Sequence, residues 1–253
     1  GSINLGRLVT NGSLDWQALK EISWLGVRFL DDVIDSSQFP IPEIDAMVRC
    51  NRKIGLGVMG FADALIQLGI PYDSSQAAET ADEVMAFVAK EARIASASLA
   101  QERGAFPNFP YSIYARNGHP PMRNATVCSI APTGTISLIA GCSSGIEPLF
   151  AISYVREALE GAQLLEMNPH FQRMAEEQRF FTPDLMRSVA RLGSVRSIGG
   201  VPGEVRRLFV TDFDIAPQWH VRIQAAFQSH TDNAVSKTVN LPQEATVEDV
   251  RNT

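Results

Sequence analysis

Apolar residues recur at helical spacing along much of the chain and are interrupted by Gly, Pro and short polar segments. In the first such stretch, the apolar face is predicted to comprise Leu19, Ile22, Leu25, Val27 and Phe29. A last helix is predicted to begin after Thr246, with acidic residues at its positive end. The predicted helices before it cover approximately residues 13–32, 43–50, 61–68, 73–103, 168–178, 184–191, 204–209 and 218–229.

Short apolar runs bounded by turn residues predict strands between these helices. They cover residues 54–60, 126–130, 149–155 and 235–241. Strands that alternate with helices predict an α/β architecture, although four or five strands are too few to close a barrel. The chain starts in turn or strand material and stops within a predicted helix. We therefore expect residues 1–253 to be one fragment of a longer chain, the alternative being a complete domain with frayed ends.

Composition narrows the function classes. The 253 residues are 45% hydrophobic and 20% charged, which excludes collagenous and disordered chains. The net charge of −6 gives no general attraction to nucleic acid or to an anionic membrane, but a local site can still bind a small anion. No apolar run reaches the roughly 20 residues of a membrane helix. Three cysteines without a C-x-x-C pair argue against disulfides and zinc, and predict a reducing cytoplasm.

Residues 129–137, Ser-Ile-Ala-Pro-Thr-Gly-Thr-Ile-Ser, carry the most informative chemistry. A buried strand ends, a hydroxyl-rich turn follows, and a helix is predicted to begin. Backbone N–H groups at a helix start bind phosphate, and Thr133, Thr135 and Ser137 can add hydroxyl donors beside Gly134. The alternative is a plain strand–helix turn with Thr as its N-cap. The absence of a following Lys excludes a Walker A loop.

Residues 141–148, Gly-Cys-Ser-Ser-Gly-Ile-Glu-Pro, form a tight polar loop ahead of the next strand. Glu147 either lines a cleft or pairs with a cation at its rim, and the pattern favours the rim pair. Cys142 is interpreted as a buried small hydrophobe rather than a redox thiol.

Other motif-like patterns favour structural roles. The four histidines show no metal-ligand spacing and are interpreted as structural. Residues 55–60 match G-x-G-x-x-G in letters, but a helix follows where the acidic second strand of a dinucleotide site would be, so packing glycines are the preferred interpretation. A serine-hydrolase elbow is absent from the sequence.

Five stretches together resemble the large catalytic chain of ribonucleotide reductases, and in particular the adenosylcobalamin-dependent (class II) branch. They follow in order along nearly the whole chain, which makes the resemblance more specific than any single motif. The stretches are residues 1–5, 51–65, 131–137, 141–148 and 233–242.

The resemblance implies part of a ten-stranded α/β barrel, incomplete in this chain. It implies a thiyl-radical reduction of ribonucleotides to deoxyribonucleotides, with adenosylcobalamin as cofactor and with a thioredoxin- or glutaredoxin-type reductant and the remainder of the reductase chain as partners. Its phosphate loop maps onto Thr133, Gly134, Thr135, Ile136 and Ser137. Two further residues are candidates for the lining of the substrate cleft, Ser2 and Glu147.

The catalytic cysteines of the family have no counterpart in this sequence. The radical cysteine and one reducing cysteine belong to motifs expected just upstream of Gly1, and the resemblance leaves every catalytic cysteine either upstream of Gly1 or beyond Thr253. No catalytic role is therefore assigned to the three cysteines of the chain, and the fragment alone is expected to be inactive. These three are Cys50, Cys128 and Cys142. Two alternatives stay open: a non-catalytic nucleotide-binding or trans-assembling module, and the large subunit of an iron-dependent (class I) reductase.

Overall fold

In the computed structural model, residues 1–157, 163–241 and 243–251 are described. Short strands and helices alternate along the first two thirds of the chain, and helices dominate the last third. The strands are β1 (Ser2–Asn4), β2 (Val9–Thr10), β3 (Ser13–Leu14), β4 (Gly57–Met59), β5 (Ser153–Glu157) and β6 (Gln163–Met167). The helices are α1 (Trp16–Ser36), α2 (Pro42–Asn51), α3 (Phe61–Leu68), α4 (Ser75–Arg103), α5 (Ile113–Arg116), α6 (Gly134–Ala140), α7 (Pro169–Glu177), α8 (Pro183–Leu192), α9 (Gly203–Leu208), α10 (Pro217–Gln228) and α11 (Val247–Arg251).

Parallel backbone pairing organises the first half of the fold. Strand β1 pairs in parallel with β4, and the pairing continues through single parallel bridges from Leu56 to Cys128 and from Ile130 to Val235. A further parallel bridge joins Leu149 to Thr211. Parallel neighbours need crossover connections, and here helices supply them. The result is a run of parallel segments whose carboxyl ends lead into the loops discussed below.

Of the predicted strands, 54–60 contains β4 and was too long, whereas 126–130 and 235–241 form no continuous strand. Residues 126–130 form backbone hydrogen bonds with the segments 54–56 and 233–236, but these bonds give only isolated bridges. Val235, in the predicted strand 235–241, likewise forms a single bridge. The predicted strand 149–155 contains the Leu149 bridge and the start of β5, and β6 was not predicted.

Two positions used in the sequence predictions lie outside the described residues. One is Pro242, the last residue of the fifth matching stretch. The other is Thr253, the residue that marks the downstream limit for the expected catalytic cysteines. The last predicted helix is confirmed as α11, which ends at Arg251. The expectation of catalytic cysteines upstream of Gly1 or beyond Thr253 concerns residues outside this chain, so it stays a prediction.

Helix ends follow their local sequence signals closely. The Asp15 side chain accepts a hydrogen bond from the N–H of Ala18 at the start of α1, and Ser74 caps α4 through the N–H of Ala77. Gly69, with φ of 73°, ends α3 as predicted. Helix α4 is the longest element described and packs against both α1 and α10.

The predicted apolar face of α1 was wrong in part. Leu19 and Val27 are buried, but Ile22, Leu25 and Phe29 are 39%, 65% and 63% exposed. The buried positions, which follow one another at intervals of three or four residues, are Leu19, Ser23, Val27, Asp31 and Ile34. Helix α1 has apolar residues on its exposed side as well as on its buried side, so periodicity alone did not identify the face that packs against α4.

A buried ion network closes this helical layer. Asp31 is fully buried and accepts hydrogen bonds from Arg52 and Asn124 at one oxygen, and from Arg103 and Arg123 at the other. These partners come from separate segments of the chain. The carboxylate is thereby saturated with donors, as a buried charge requires.

The three glycines of the G-x-G-x-x-G pattern have packing roles, as preferred from the sequence. A Cβ on Gly57 would lie 2.1 Å from the carbonyl oxygen of Ser129, and one on Gly55 would lie 2.9 Å from the Ser129 Cβ. Gly60 has φ of 70° and its Cβ would lie 2.6 Å from Asn4 Oδ1. The segment therefore runs too close to its neighbours for a side chain at any of these three positions.

Candidate functional site

The turn before α6 presents free backbone donors to the surface. Thr133 stands immediately before the helix with φ of 55°, in the left-handed region that non-glycine residues seldom occupy. The N–H of Ser137 donates to the Thr133 carbonyl at 2.9 Å. Among the described residues, no acceptor is bonded to the N–H groups of Gly134, Thr135 and Ile136, and all three residues are exposed. Three unpaired amides at one helix start can hold an anion.

The three hydroxyls predicted to surround this turn have different roles. Thr133 Oγ1 accepts a 2.6 Å hydrogen bond from the N–H of Gly145, and it makes no N-cap bond to α6. Ser137 is buried, and its hydroxyl donates to the Gly134 carbonyl at 3.0 Å and lies 2.9 Å from Ser144 Oγ. Of the three, only Thr135 is exposed beside the amides. Thr133 thus holds the N-cap position that the alternative gave it, but without the side-chain hydrogen bond of an N-cap.

The loop of residues 141–148 lies against the start of α3. Ser143 accepts a hydrogen bond from the N–H of Gly60 through its carbonyl, and its own N–H donates to Asp63 at 2.6 Å. Gly145 has φ of 47° and its carbonyl accepts from the N–H of Phe61. The loop therefore joins α3 to the turn at Thr133 through hydrogen bonds in both directions.

The thiols near this loop are poor nucleophiles. Burial, reinforced by Asp63, raises the pKa of Cys142 to about 11. Burial and Asp232 raise the pKa of Cys128 to about 12. A thiolate is the reactive form, so neither residue supplies one near neutral pH. Cys142 is half-buried, so its interpretation as a buried small hydrophobe is confirmed only in part.

Glu147 forms the rim pair that its pattern favoured. One carboxylate oxygen accepts from Nζ of Lys237 and the other accepts from the N–H of Thr238 at 2.8 Å. Ser2, the other cleft candidate, is partly exposed in β1 at the level of Gly57. The hydrogen bonds of Glu147 go to the segment 237–238 and not to Ser2, so these two candidates are not joined.

Sequence reasoning missed the buried polar cluster behind Glu147. Lys237 Nζ lies 2.9 Å from His220 Nδ1, and Asp212 accepts from the side-chain amide of Asn240. In the predicted strand 235–241, Lys237 shares alternate positions with the apolar residues Val235, Val239 and Leu241. A lysine on the apolar side of a strand needs partners, which is the signal that could have identified it. Within the described residues no group of His, Cys, Asp and Glu is arranged to hold a metal ion.

The chain is similar to long bacterial and archaeal reductases. It is 54% identical over 251 residues to the vitamin B12-dependent ribonucleoside-diphosphate reductase of Mycobacterium tuberculosis, covering 99% of this chain and 36% of that protein. It is 49% identical to the protein of the same name from Thermoplasma acidophilum, covering 99% of this chain and 32% of that one. A ribonucleoside-diphosphate reductase subunit alpha of Chlamydia pneumoniae is 31% identical, over 96% of this chain and 27% of its own length. The chain thus spans about a third of these relatives.

The fold matches a solved structure. The class Id ribonucleotide reductase alpha subunit of Actinobacillus ureae superposes with a TM-score of 0.79 at 22% identity, over 99% of this chain and 45% of that one. This match confirms the expected architecture, an incomplete α/β barrel. Among the described residues no helix is long and apolar enough to cross a membrane. The family model of the ribonucleotide reductase barrel domain matches residues 1–121 and 116–253, so the chain belongs to this family.

Proposed function

We propose that residues 1–253 form the phosphate-binding part of the catalytic barrel of a vitamin B12-dependent ribonucleoside-diphosphate reductase. The whole protein would convert ribonucleotides to deoxyribonucleotides by a thiyl-radical mechanism. Sequence identity of 54% and 49% to proteins of that name supports the vitamin B12-dependent branch, whereas the ribonucleoside-diphosphate reductase subunit alpha of Chlamydia pneumoniae is 31% identical. The names of these relatives favour a diphosphate over a triphosphate as substrate.

The observation that carries the proposal is the turn before α6. The N–H groups of Gly134, Thr135 and Ile136 are unpaired and exposed, and the Thr135 hydroxyl stands beside them. A nucleotide phosphate placed there would accept several N–H bonds at the positive end of the helix. Thr133 and Ser137 support the turn from within rather than touching the ligand.

Radical chemistry is assigned to cysteines outside this chain, upstream of Gly1 or beyond Thr253. The raised pKa values of Cys128 and Cys142 support that assignment, because a neutral thiol is a poor partner for thiol–disulfide exchange. A thioredoxin- or glutaredoxin-type protein would supply the electrons to the whole enzyme. Three free cysteines are consistent with a reducing cytoplasm.

Adenosylcobalamin is the cofactor that the relatives and the resemblance imply, and when bound it would supply the radical initiator. Among the described residues, two surface grooves have volumes of about 440 Å³ and about 260 Å³, and the second is lined by polar side chains such as Gln67 and Arg173. A cobalamin molecule is larger than either groove, so we assign no residue of this chain to the cofactor.

The proposal is tested with the intact protein. Deoxynucleoside diphosphate formation is measured with adenosylcobalamin and a dithiol, and nucleoside diphosphate binding is measured by calorimetry. Thr135→Ala is expected to raise Kd about tenfold to a hundredfold, because a hydrogen bond to a charged group contributes about 1.5–3 kcal/mol. Thr10→Ala, an exposed threonine of β2, is the control. Unchanged affinity in Thr135→Ala would reject the turn as the phosphate-binding site. Nucleotide binding without reduction would favour the non-catalytic module.

A further inference from the structure

The ammonium group of Lys237 is enclosed by the protein. Its side chain is 0% exposed. It donates to the Glu147 carboxylate, to the Thr238 carbonyl oxygen at 2.7 Å and to His220 Nδ1 at 2.9 Å. A lysine has three N–H donors, and these three partners use all of them. The position of the ammonium is therefore fixed in three directions.

Glu147 is held by two neighbouring groups of one segment. Lys237 Nζ contacts Oε2, while the backbone N–H of Thr238 donates to Oε1 at 2.8 Å. The Glu147 side chain keeps 22% of its surface exposed. A carboxylate held at both oxygens has one orientation, which the segment 237–238 sets.

His220 completes the arrangement as an acceptor. Lys237 donates to Nδ1, so the ring is neutral and carries its proton on Nε2. Burial, followed by the nearby Lys237 charge, lowers the pKa of His220, against the opposing effect of Asp212 and Glu147. The cluster thus joins the Lys237 ammonium to the Glu147 carboxylate and to the His220 ring, and Asp212 Oδ1 lies 3.9 Å from His220 Nδ1.

A short chain of contacts connects this cluster to the phosphate turn. Glu147 lies two residues after Gly145, and its N–H donates to the Ser144 carbonyl at 2.9 Å. The Gly145 N–H donates to Thr133 Oγ1 at 2.6 Å, and Ser144 Oγ lies 2.9 Å from the hydroxyl of Ser137. Thr133, before α6, and Ser137, in its first turns, therefore both contact the loop that is linked to Lys237 through Glu147.

Stability is a weak reason for this arrangement. Two charges that are moved out of water lose the free energy of their hydration, and their mutual attraction offsets only part of that loss. A buried ion pair therefore adds little net stability over an apolar pair. What a multiply bonded buried charge does provide is a fixed geometry for the groups around it.

We propose that Lys237 is a positioning residue, which orients Glu147 and, through the loop 144–147, sets the phosphate-binding turn at Thr133. This inference rests on the proposed function for its effect on nucleotides, but its effect on the loop can be measured without one. Lys237 does not touch the phosphate; it acts through Glu147 and Gly145.

The test compares Lys237→Met, Glu147→Gln and the double variant in the intact protein. Lys237→Met is expected to raise the Kd and KM for nucleoside diphosphate about tenfold with a smaller change in kcat, and each single variant is expected to have a lowered melting temperature. The double variant removes the unpaired buried charge, so its melting temperature recovers while its Kd stays raised. Lys90→Met, an exposed lysine of α4, is the matched control and is expected to leave Kd unchanged.

Amide hydrogen exchange gives the second measurement, which needs no nucleotide. In Lys237→Met, exchange should accelerate at the hydrogen-bonded amides of residues 132–137 and 143–148, which include those of Ser137, Gly145 and Glu147, while exchange in α4 stays as in the wild type. If wild-type protein binds no nucleotide, the proposed function fails, and exchange alone decides whether Lys237 positions the loop. Unchanged exchange in these two segments, or recovery of wild-type affinity in the double variant, overturns the inference.

Discussion

Gly57 lies against the carbonyl oxygen of Ser129 so closely that a Cβ at position 57 would stand 2.1 Å from that oxygen. Parallel bridging between Leu56 and Cys128 brings the two segments to this distance. The obstacle is backbone, which cannot rotate away as the end of a side chain can. The contact therefore sets the spacing between β4 and the segment that leads to the phosphate turn.

Gly57→Ala is expected to destabilise the fold by at least about 2 kcal/mol, because overpacking that requires backbone shifts costs about 1–3 kcal/mol or more. Urea unfolding of the intact protein measures the change. Gly199→Ala is the matched control, since Gly199 is exposed and a Cβ there meets no atom within 4 Å. Equal stability of the two variants would show that β4 and residue 129 can separate freely.

Asp31→Asn tests the buried ion network. One oxygen of Asp31 becomes an amide that faces donors from arginine, so an unpaired cation is left inside the protein. Breaking a buried pair costs about 3–5 kcal/mol. Its neighbour Asp32 has a half-exposed side chain paired with Arg103, and exposed pairs contribute about 0–1 kcal/mol. Asp32→Asn is therefore the control. A comparable loss of unfolding free energy in both variants would contradict a special role for the buried Asp31 network.

The positions of the helices could be predicted from local sequence signals. The predicted bounds of α1, α3 and α4 agree with the structure to within a few residues. The buried side of α1 was not predicted correctly, because a serine and an aspartate lie on it and three apolar residues do not. A buried Asp31 is explained only by arginines far away in sequence, and periodicity within one helix contains no such information.

The candidate site was predicted less completely than the fold. The turn 133–137 was located from its strand–turn–helix pattern. Three hydroxyls were expected as donors to the phosphate, but only that of Thr135 is exposed beside the amides. Lys237 and His220 were missed, because their pairing depends on the meeting of α10 with the segment after Val235. The sign of this pairing in the sequence is an ionisable residue that takes a position among the alternating apolar residues of the predicted strand 235–241.

Ser137→Ala is expected to separate support of the turn from binding to the ligand. Its hydroxyl is buried and bonded within the protein, so its loss should destabilise the fold by about 1 kcal/mol. We expect Kd for nucleoside diphosphate to change less than in Thr135→Ala, whose stability should stay near that of the wild type. Unfolding and calorimetric binding of both single variants provide the measurement. The reverse order of effects would place the Ser137 hydroxyl on the phosphate.

The lowered pKa of His220 predicts a specific dependence of stability on pH. Unfolding returns this residue to its ordinary pKa of about 6.5, so at lower pH the unfolded state binds a proton that the folded state resists. Its contribution to stability is therefore complete above about pH 6.5 and is lost as pH falls below that value towards the folded pKa. The facing charges are Lys237, Asp212 and Glu147, and protonation would place a second cation beside Lys237.

Replacement of the His220 ring by an amide tests this dependence. His220→Asn keeps an acceptor near Nδ1 and cannot take up the proton, so the fall in unfolding free energy between about pH 6.5 and 5 should become shallower than in the wild type. His119→Asn, at an exposed position, should keep the wild-type slope. Equal slopes in all three proteins would mean that His220 is protonated as easily in the folded state as in the unfolded one.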